Sequence, residues 1–550
     1  MNRISRLVAS VALVSLLSCK SDGGPVVPAS NGVLQSTEEV SLLVGVGSQV
    51  ITPEEPEGVV IAGFGGVITG AIFVGSMRYA TGVHDDIWAR TLAVTKPATG
   101  KTILLQSLDL VGLSQIDINP VKRRIEEELG VPVENITIAS THNHMGPDAF
   151  GIWAGKIDYE YQAWLRHRMF LSARDALESR VPVRMKSTTA EPPSGYDPET
   201  LEIKGDPELN FPDSFKEVRA VNPGFDVEMV QTDLRDPYVR NTKVVTMFFE
   251  SLETGKTVAS LVNWHDHPEV LTSSWTEISS DFPHYLRERM ETLTGGTCVY
   301  FSGTVGCQIG ALGNTKIPER DENGDPVYEP GVFDVQGNPF PKMASDKIAR
   351  IRSLGYVVAD AVIDSLGETD WTVDPKVEMM TEQLDIDFDN GILETVLSLM
   401  QGRSDREPQE SPIFGPHITC HYGGMRSDIS IISVGDCQIV TAPAELSPEY
   451  IVGRDASVVD FGSYGVTNFP SMIAVEDFMT GRDKMMFGLA NDYYGYAIPS
   501  SDHVGLLNFS HPNHYEEAVC PSVDFGDSIG NKLLQMLGED RRFSNYPINP

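Results

Sequence analysis

Four of the chain's 12 histidines fall in two His-x-His pairs, His142 with His144 and His265 with His267. A neutral imidazole nitrogen is a good donor to a borderline metal such as zinc. A mononuclear catalytic zinc takes about three protein ligands and keeps one position open, so two pairs suffice if the fold brings them together. A single histidine is more simply explained as a hydrogen-bonded structural residue, and spacing alone leaves both explanations open for the pairs. Sharing one ion would require the nearest nitrogens of His142 and His267 to lie within about 5 Å. Glu445, after Thr441-Ala-Pro-Ala, offers a carboxylate where a strand gives way to a helix. Tyr493, Tyr494 and Tyr496 cluster in Asn491-Asp-Tyr-Tyr-Gly-Tyr, and composition alone makes them packing residues. Asp321, Asn323 and Asp325 begin like a calcium loop. Pro326 stands where that loop needs glycine and the closing glutamate is missing, so a solvated turn is expected.

Elements that could position these groups follow from the apolar patterning. Strands are expected at 102–108, 135–140, 257–262, 298–301, 429–434 and 438–441, with Gly435-Asp436 as a hairpin turn between the last two. Helices are expected at 120–129, 159–178, 282–292, 344–365 and 527–537. Each histidine pair would then extend a strand. Because side chains alternate along a strand, His142 and His144 would share the face of Ile136 and Ile138, and His265 and His267 that of Leu261 and Asn263, with Pro268 ending the ladder. Stretches 190–240 and 313–343 are rich in Pro, Gly and acidic residues, as surface insertions are. With neither a linker nor a repeat between about residue 40 and residue 540, the pattern describes one large α/β domain of mixed sheets flanked by helices.

The chain carries 42 Lys and Arg against 77 Asp and Glu, a net charge of −35. Such a surface lacks the basic footprint that displaces counterions from phosphate, so nucleic acid is excluded as an expected partner. Arg3 and Arg6, an apolar run at 7–17 and Leu-Leu-Ser-Cys at 16–19 form a signal peptide too short to span a bilayer. The small residue before Cys19 fits a bacterial lipobox. Residues 1–18 are thus expected to be a removed signal, Cys19 a lipid-bearing mature N-terminus, 19–36 a flexible tether and 37–545 the folded domain, held at the bacterial cell envelope. Without Arg3 and Arg6, 40 basic residues face 77 acidic ones, giving −37. Five cysteines remain, Cys298, Cys307, Cys420, Cys437 and Cys520; none lies in a Cys-x-x-Cys, which argues against a cysteine-built zinc site.

In this order the segments resemble the neutral/alkaline non-lysosomal ceramidase family. The resemblance runs through Ile51-Thr-Pro, Ala62-Gly-Phe-Gly, Gly82-Val-His-Asp-Asp-Ile-Trp-Ala-Arg90 and Ser140-Thr-His-Asn-His-Met-Gly-Pro147. It continues through Asn263-Trp-His-Asp-His-Pro268, Ser280-Asp-Phe-Pro283, Ala442-Pro-Ala-Glu445, Asn491-Asp-Tyr493 and Tyr515-Glu-Glu-Ala518. His-x-His-x-Gly-Pro and Asn-x-x-x-His-Pro are its most specific parts. The resemblance implies a ceramidase-type catalytic domain that hydrolyses an N-acyl amide, ceramide or a related lipid, with zinc held by His142, His267, Glu445 and Tyr493. It places His144 beside the metal, holding the substrate carbonyl or a water, and leaves Tyr494 as the alternative to Tyr493. Tyr494, Tyr496 and Tyr515 are the implied substrate-binding positions, while His265 receives no family role. Zinc would polarise the carbonyl and acidify water, and an imidazole would pass a proton to the leaving amine.

Two departures bear on that expectation. The family's Gly-Asp-x-Ser-Pro, whose serine is proposed to take part in the attack, corresponds to Gly306-Cys-Gln-Ile-Gly310, so Cys307 replaces the aspartate and Ile309 the serine. Water activated at zinc could attack directly, which is the preferred route; Thr304 or Cys307 could assist; or the chain could act on another amide or ester, or only bind its ligand. The family's C-terminal immunoglobulin-like domain is expected to be absent, because about 35 residues follow the Tyr515 motif and a sandwich needs ~100.

Overall fold

The computed structural model describes residues 40–64, 77–151, 153, 158–192, 232–233, 239–312, 315–333, 339–386, 390, 409–411, 415–420, 425–455, 469–503 and 515–543. The signal, Cys19, the tether and most of the 190–240 insertion lie outside these residues.

Apolar runs rich in β-branched residues build a central sheet of eight strands. They are β1 (Leu43–Val50), β2 (Trp88–Lys96), β3 (Lys101–Leu108), β4 (Ile136–Ser140), β5 (Val181–Ala190), β6 (Val244–Ser251), β7 (Thr257–Trp264) and β8 (Thr297–Ser302), in the order β8-β7-β6-β5-β1-β2-β3-β4. The pairs at the two edges, β3 with β4 and β7 with β8, are parallel, and the inner pairs are antiparallel. A parallel pair needs a crossover. α1 (Gln115–Leu129) supplies one and α3 (Phe282–Thr294) the other, with α2 (Tyr159–Glu178) between them in sequence. α1 begins five residues before the expected start at Pro120, because Ser114 caps it by accepting from the Ile116 N–H, and it stops at Gly130 in the left-handed conformation.

A second sheet, ordered β9-β10-β11-β12, contains β9 (Val377–Ile386), β10 (Met425–Val434), β11 (Cys437–Thr441) and β12 (Asp483–Phe487). The expected hairpin turn joins β10 and β11, with Gly435 at φ 59°. The two sheets share a dry core in which Leu92, Leu105, Met247, Leu261 and Val299 meet Ile432, Ile439 and Met485, and Phe301 stacks on Phe487 at 4.0 Å. α1 and α2 cover one half of the central sheet's other face; α3 and α4 (Lys347–Gly367) cover the other half. Short α5 (Glu449–Val452) and α6 (Phe525–Met536) close the far side of the second sheet. The result is a layered mixed α/β fold.

The central sheet coils until its edge strands meet. Ser107 Oγ on β3 donates to Tyr300 O on β8 at 2.5 Å, and Ser302 Oγ donates to Thr141 O at 2.6 Å. The chain leaving β12 runs through this seam and bonds to both sides: Gly488 N–H to Ser302 O, Ser140 N–H to Leu489 O, and Asn491 N–H to Ile138 O at 2.7 Å. Residues that follow β4, β8 and β12 are therefore neighbours, although β4 and β8 are opposite ends of the sheet.

Asp109, just past β3, ties the seam to α3. Arg287 grips both its oxygens at 2.8 Å, Ser280 Oγ donates to one of them at 2.9 Å, and its backbone oxygen accepts from Asn143 Nδ2 at 3.2 Å. The ion-pair side chains are 3% and 1% exposed. In the 313–343 stretch, Asp321 Oδ1 accepts from the N–H groups of Asn323 and Asp325, so its carboxylate closes its own turn as expected for a solvated loop. Removing one partner from a buried ion pair leaves the other charge uncompensated. Arg287→Met is therefore expected to destabilise the fold by about 3–5 kcal/mol, read from denaturant unfolding. A loss below about 1 kcal/mol would show that Asp109 is not held as described.

Candidate metal centre

Four chain segments converge where strands end: those after β4, β7, β11 and β12, carrying His142 and His144, His267, Glu445 and Tyr493. The mechanism of convergence differs from simple alternation along a strand. β4 stops at Ser140 and His142 takes φ 64°, so the backbone turns and the pair no longer continues the face of Ile136 and Ile138. β7 likewise stops at Trp264, and its two histidines part. His267 enters the cluster. His265 instead accepts from the Thr304 N–H through Nδ1 at 2.9 Å, with Thr304 Oγ1 at 3.0 Å, and burial pulls its pKa down to about 3.

Donor nitrogens of His142, His144 and His267 all lie within 4.8 Å of one another and are buried. A tetrahedral ion with bonds near 2.0–2.1 Å holds its donors about 3.3–3.4 Å apart, so the widest of these separations would have to close by up to about 1.5 Å. The tautomers of two of these rings are fixed. His142 Nδ1 donates to Val111 O at 2.7 Å and His267 Nδ1 to Gln308 O at 2.8 Å, because a carbonyl can only accept. Their Nε2 atoms face one carboxylate oxygen, Glu445 Oε2, at 3.2 and 3.6 Å. The other oxygen, Oε1, accepts from the Tyr493 hydroxyl at 2.7 Å. Among the described residues, Glu445 Oε2 and both ring nitrogens of His144 have no hydrogen-bond partner.

The electrostatics of the cluster point the same way. Burial opposes ionisation of Glu445, yet His142, His267 and Tyr493 hold its carboxyl below the ordinary range. Burial and the proximity of His142 push His267 down to about 4, and burial, His142, His267 and Arg78 push His144 well below the usual histidine value. His142 moves the other way: burial lowers it, but Glu445 prevails and raises it. A bare imidazole nitrogen opposite a buried carboxylate needs a positive charge on or between the two, a proton or a metal ion. The orphaned atoms and the nitrogen-rich donor set fit a metal.

The remaining sequence-derived residues fall elsewhere. Tyr494 turns into the core beside Phe525, its hydroxyl accepting from Gln115 Nε2 at 2.8 Å, so the doubled tyrosine presents only Tyr493 to Glu445. Tyr496 pairs with Glu445 along a short parallel ladder and packs with Cys307 and Ile498. Cys307 Sγ lies 3.1 Å from Ser447 Oγ, and the Thr304 hydroxyl is engaged by His265; neither belongs to the donor set. The Tyr515 side chain lies outside the described residues. The 306–310 segment serves through its backbone: Gln308 O fixes His267, Gly306 N–H donates to Leu446 O, and Gly310 N–H donates to Glu269 Oε1 at 3.3 Å.

Sequence reasoning missed Glu269 and Arg78. Glu269 is buried, its Oε2 lies 3.4 Å from His144 Nδ1, and burial raises its carboxyl to about 7. Its position two residues beyond His267, in a turn that must fold back, was the available signal. Arg78 carries no motif; its guanidinium is buried, donates to His144 O at 2.6 Å, and is lowered by burial to about 10.

Two glycines set how closely the walls approach. A Cβ on Gly63, at φ 103°, would meet His144 Cγ at 2.5 Å, and one on Gly112 would meet Tyr493 Cδ1 at 2.4 Å. Gly112→Ala is expected to displace the Tyr493 ring and weaken divalent-metal affinity about 10-fold, measured by chelator competition. Unchanged affinity would remove Tyr493 from the metal-binding group.

No protein-family model matches the chain, and neither does any curated protein. Solved structures that match include the neutral ceramidase from Pseudomonas aeruginosa, at a TM-score of 0.57 and 14% identity, over 92% of this chain and 76% of that one. A ceramidase complexed with C2 matches at a TM-score of 0.56 and 13% identity, over 93% and 77% of the two chains. At such identities the likeness is one of fold. The chain has the neutral ceramidase fold, with a buried trio of histidines that could hold a metal ion.

Proposed function

We propose that the chain is a zinc-dependent hydrolase that cleaves the amide bond of an N-acyl lipid, ceramide or a close relative, from the bacterial cell envelope. The observation that carries this is Glu445 Oε2, buried without a hydrogen bond opposite the Nε2 atoms of His142 and His267. Nitrogen donors with one carboxylate favour zinc over magnesium or calcium, which prefer all-oxygen sites. The fold likeness to neutral ceramidases supports an amide as the bond attacked.

His142, His267 and Glu445 would hold the ion, with Tyr493 at its side steadying Glu445. When bound, zinc supplies Lewis acidity and brings the pKa of water toward 7. The protein's own groups do the rest. Val111 O and Gln308 O lock two imidazoles in the tautomer that leaves Nε2 bare. His144, whose Nε2 has no hydrogen-bond partner, would take a proton and return it to the leaving amine, which departs only when protonated. Arg78 holds that residue's backbone. The 306–310 segment presents no hydroxyl, which favours water as the attacking group over a serine-type covalent route, and its Cys307 thiol lies against Ser447 Oγ.

A binding-only role is the second explanation, and Ile309 in place of a serine is what favours it. Zinc-loaded protein lacking residues 1–36 is expected to release fatty acid from a panel of N-acyl amides that includes ceramide. His142→Ala and His267→Ala should each lower turnover about a thousand-fold, the equivalent of about 4 kcal/mol. Zinc content below about a tenth of an equivalent, together with no release after zinc addition, would leave the binding role ahead.

The proposed lipid on Cys19 would bring the site to its substrate; no described helix is long and apolar enough to cross a membrane. Cys19→Ser is expected to move the protein from the membrane fraction to the soluble one. Retention in the membrane fraction would sink the anchor.

A further inference from the structure

Each imidazole of the cluster has an oxygen opposite its Nδ1. For His142 it is Val111 O at 2.7 Å, for His267 it is Gln308 O at 2.8 Å, and for His144 it is Glu269 Oε2 at 3.4 Å. The first two are neutral carbonyls that lock a tautomer; the third belongs to a carboxyl side chain. Its placement is built by the chain around it. His144 N–H donates to Pro268 O at 3.1 Å, so the 268–269 corner wraps His144 from backbone and side chain together. Glu269 Oε1 accepts from Gly310 N–H at 3.3 Å, which turns Oε2 toward the ring. A Cβ on Gly310 would meet Glu269 Cγ at 3.0 Å, so that close approach depends on the glycine. On the other side Phe64 meets the His144 ring edge-on at 4.8 Å, with Gly63 beneath it, so the ring has little freedom to turn away.

We propose that Glu269 is a positioning residue for His144, accepting a hydrogen bond from Nδ1–H through Oε2 and thereby leaving Nε2 bare on the side of the donor cluster. The inference rests on the hydrolase role proposed above and adds a residue to it. At 3.4 Å the pair is longer than a formed hydrogen bond, as pairs at active sites often are before a substrate tightens them. A histidine whose other nitrogen is held by a carboxylate is fixed in tautomer and orientation. Its Nδ1 faces a carboxyl side chain rather than a backbone carbonyl, which sets His144 apart from its two neighbours. The His144–Glu269 pair would thus work as a dyad beside the ion, with Gly310 N–H as its fixed end.

The test reads the tautomer directly. The full chain, labelled with 15N-histidine and stripped of metal, gives long-range proton–nitrogen patterns that distinguish Nδ1–H from Nε2–H, with His144→Ala assigning the signal. The expected result is Nδ1–H at His144 in the unmutated chain and in Glu269→Gln, whose amide oxygen still accepts, and loss of that tautomer in Glu269→Ala. With zinc and an N-acyl amide, kcat should fall about 10-fold or more in Glu269→Ala, less in Glu269→Gln, with KM little changed. An unchanged His144 tautomer in Glu269→Ala overturns the proposal, and so does Nε2–H in the unmutated chain. Thermal melting of both variants separates these outcomes from unfolding. A tautomer that shifts as expected in a chain with no amidase activity would support the pairing and overturn the hydrolase role instead.

Discussion

A carboxylate taken out of water is stable only where something positive or hydrogen-bonded faces it. At Glu445 one oxygen has the Tyr493 hydroxyl, while the other faces two imidazole nitrogens whose protons are committed elsewhere. Because Nδ1 of each ring donates to a backbone carbonyl, neither ring can relieve Glu445 without taking up a second proton. His142 is drawn toward doing so and His267 is not. The group is arranged so that it could receive a positive charge, and the surrounding backbone fixes the positions of its atoms.

Holding it depends on the coil of the central sheet. β4 and β8 are opposite edges in the hydrogen-bonded order, yet the histidine-bearing segments after β4 and β7 meet. Coiling brings the edges together, and the chain after β12 bridges them with bonds to Ser302 O and Ile138 O before delivering Tyr493. Parallel β11 and β12 send Glu445 and Tyr493 out of the same end of the second sheet. The fold uses the usual site of α/β chemistry, the carboxyl ends of parallel strands, three times over: at β3–β4, β7–β8 and β11–β12.

Much of this was legible in the sequence because strand ends announce themselves. The runs before His142 and His267 are apolar and stop abruptly, and the helices that cross between parallel strands have clear periodicity. What stayed hidden are features decided by backbone turns and by distant contacts. The positive φ at His142 broke the alternation argument while preserving its outcome. Tyr493 and Tyr494 are indistinguishable by type and adjacent in sequence; only the packing of Tyr494 with Phe525 and Gln115 separates them. Arg78 and Glu269 are single charged residues whose importance lies in what folds against them.

The 306–310 segment shows why a changed side chain need not mean a changed site. What it gives the cluster is Gln308 O for His267, Gly310 N–H for Glu269 and, through Gly306, a backbone bond to the strand that carries Glu445. None of these requires a particular side chain at Cys307 or Ile309, whereas Gly306 and Gly310 cannot accept a Cβ without meeting backbone at 2.4 and 2.5 Å. The scaffolding role of the loop is thus independent of any side-chain hydroxyl. Chemistry that needs a side-chain hydroxyl at 306–310 is closed to this chain, while the backbone contacts that the segment makes to the cluster do not depend on one.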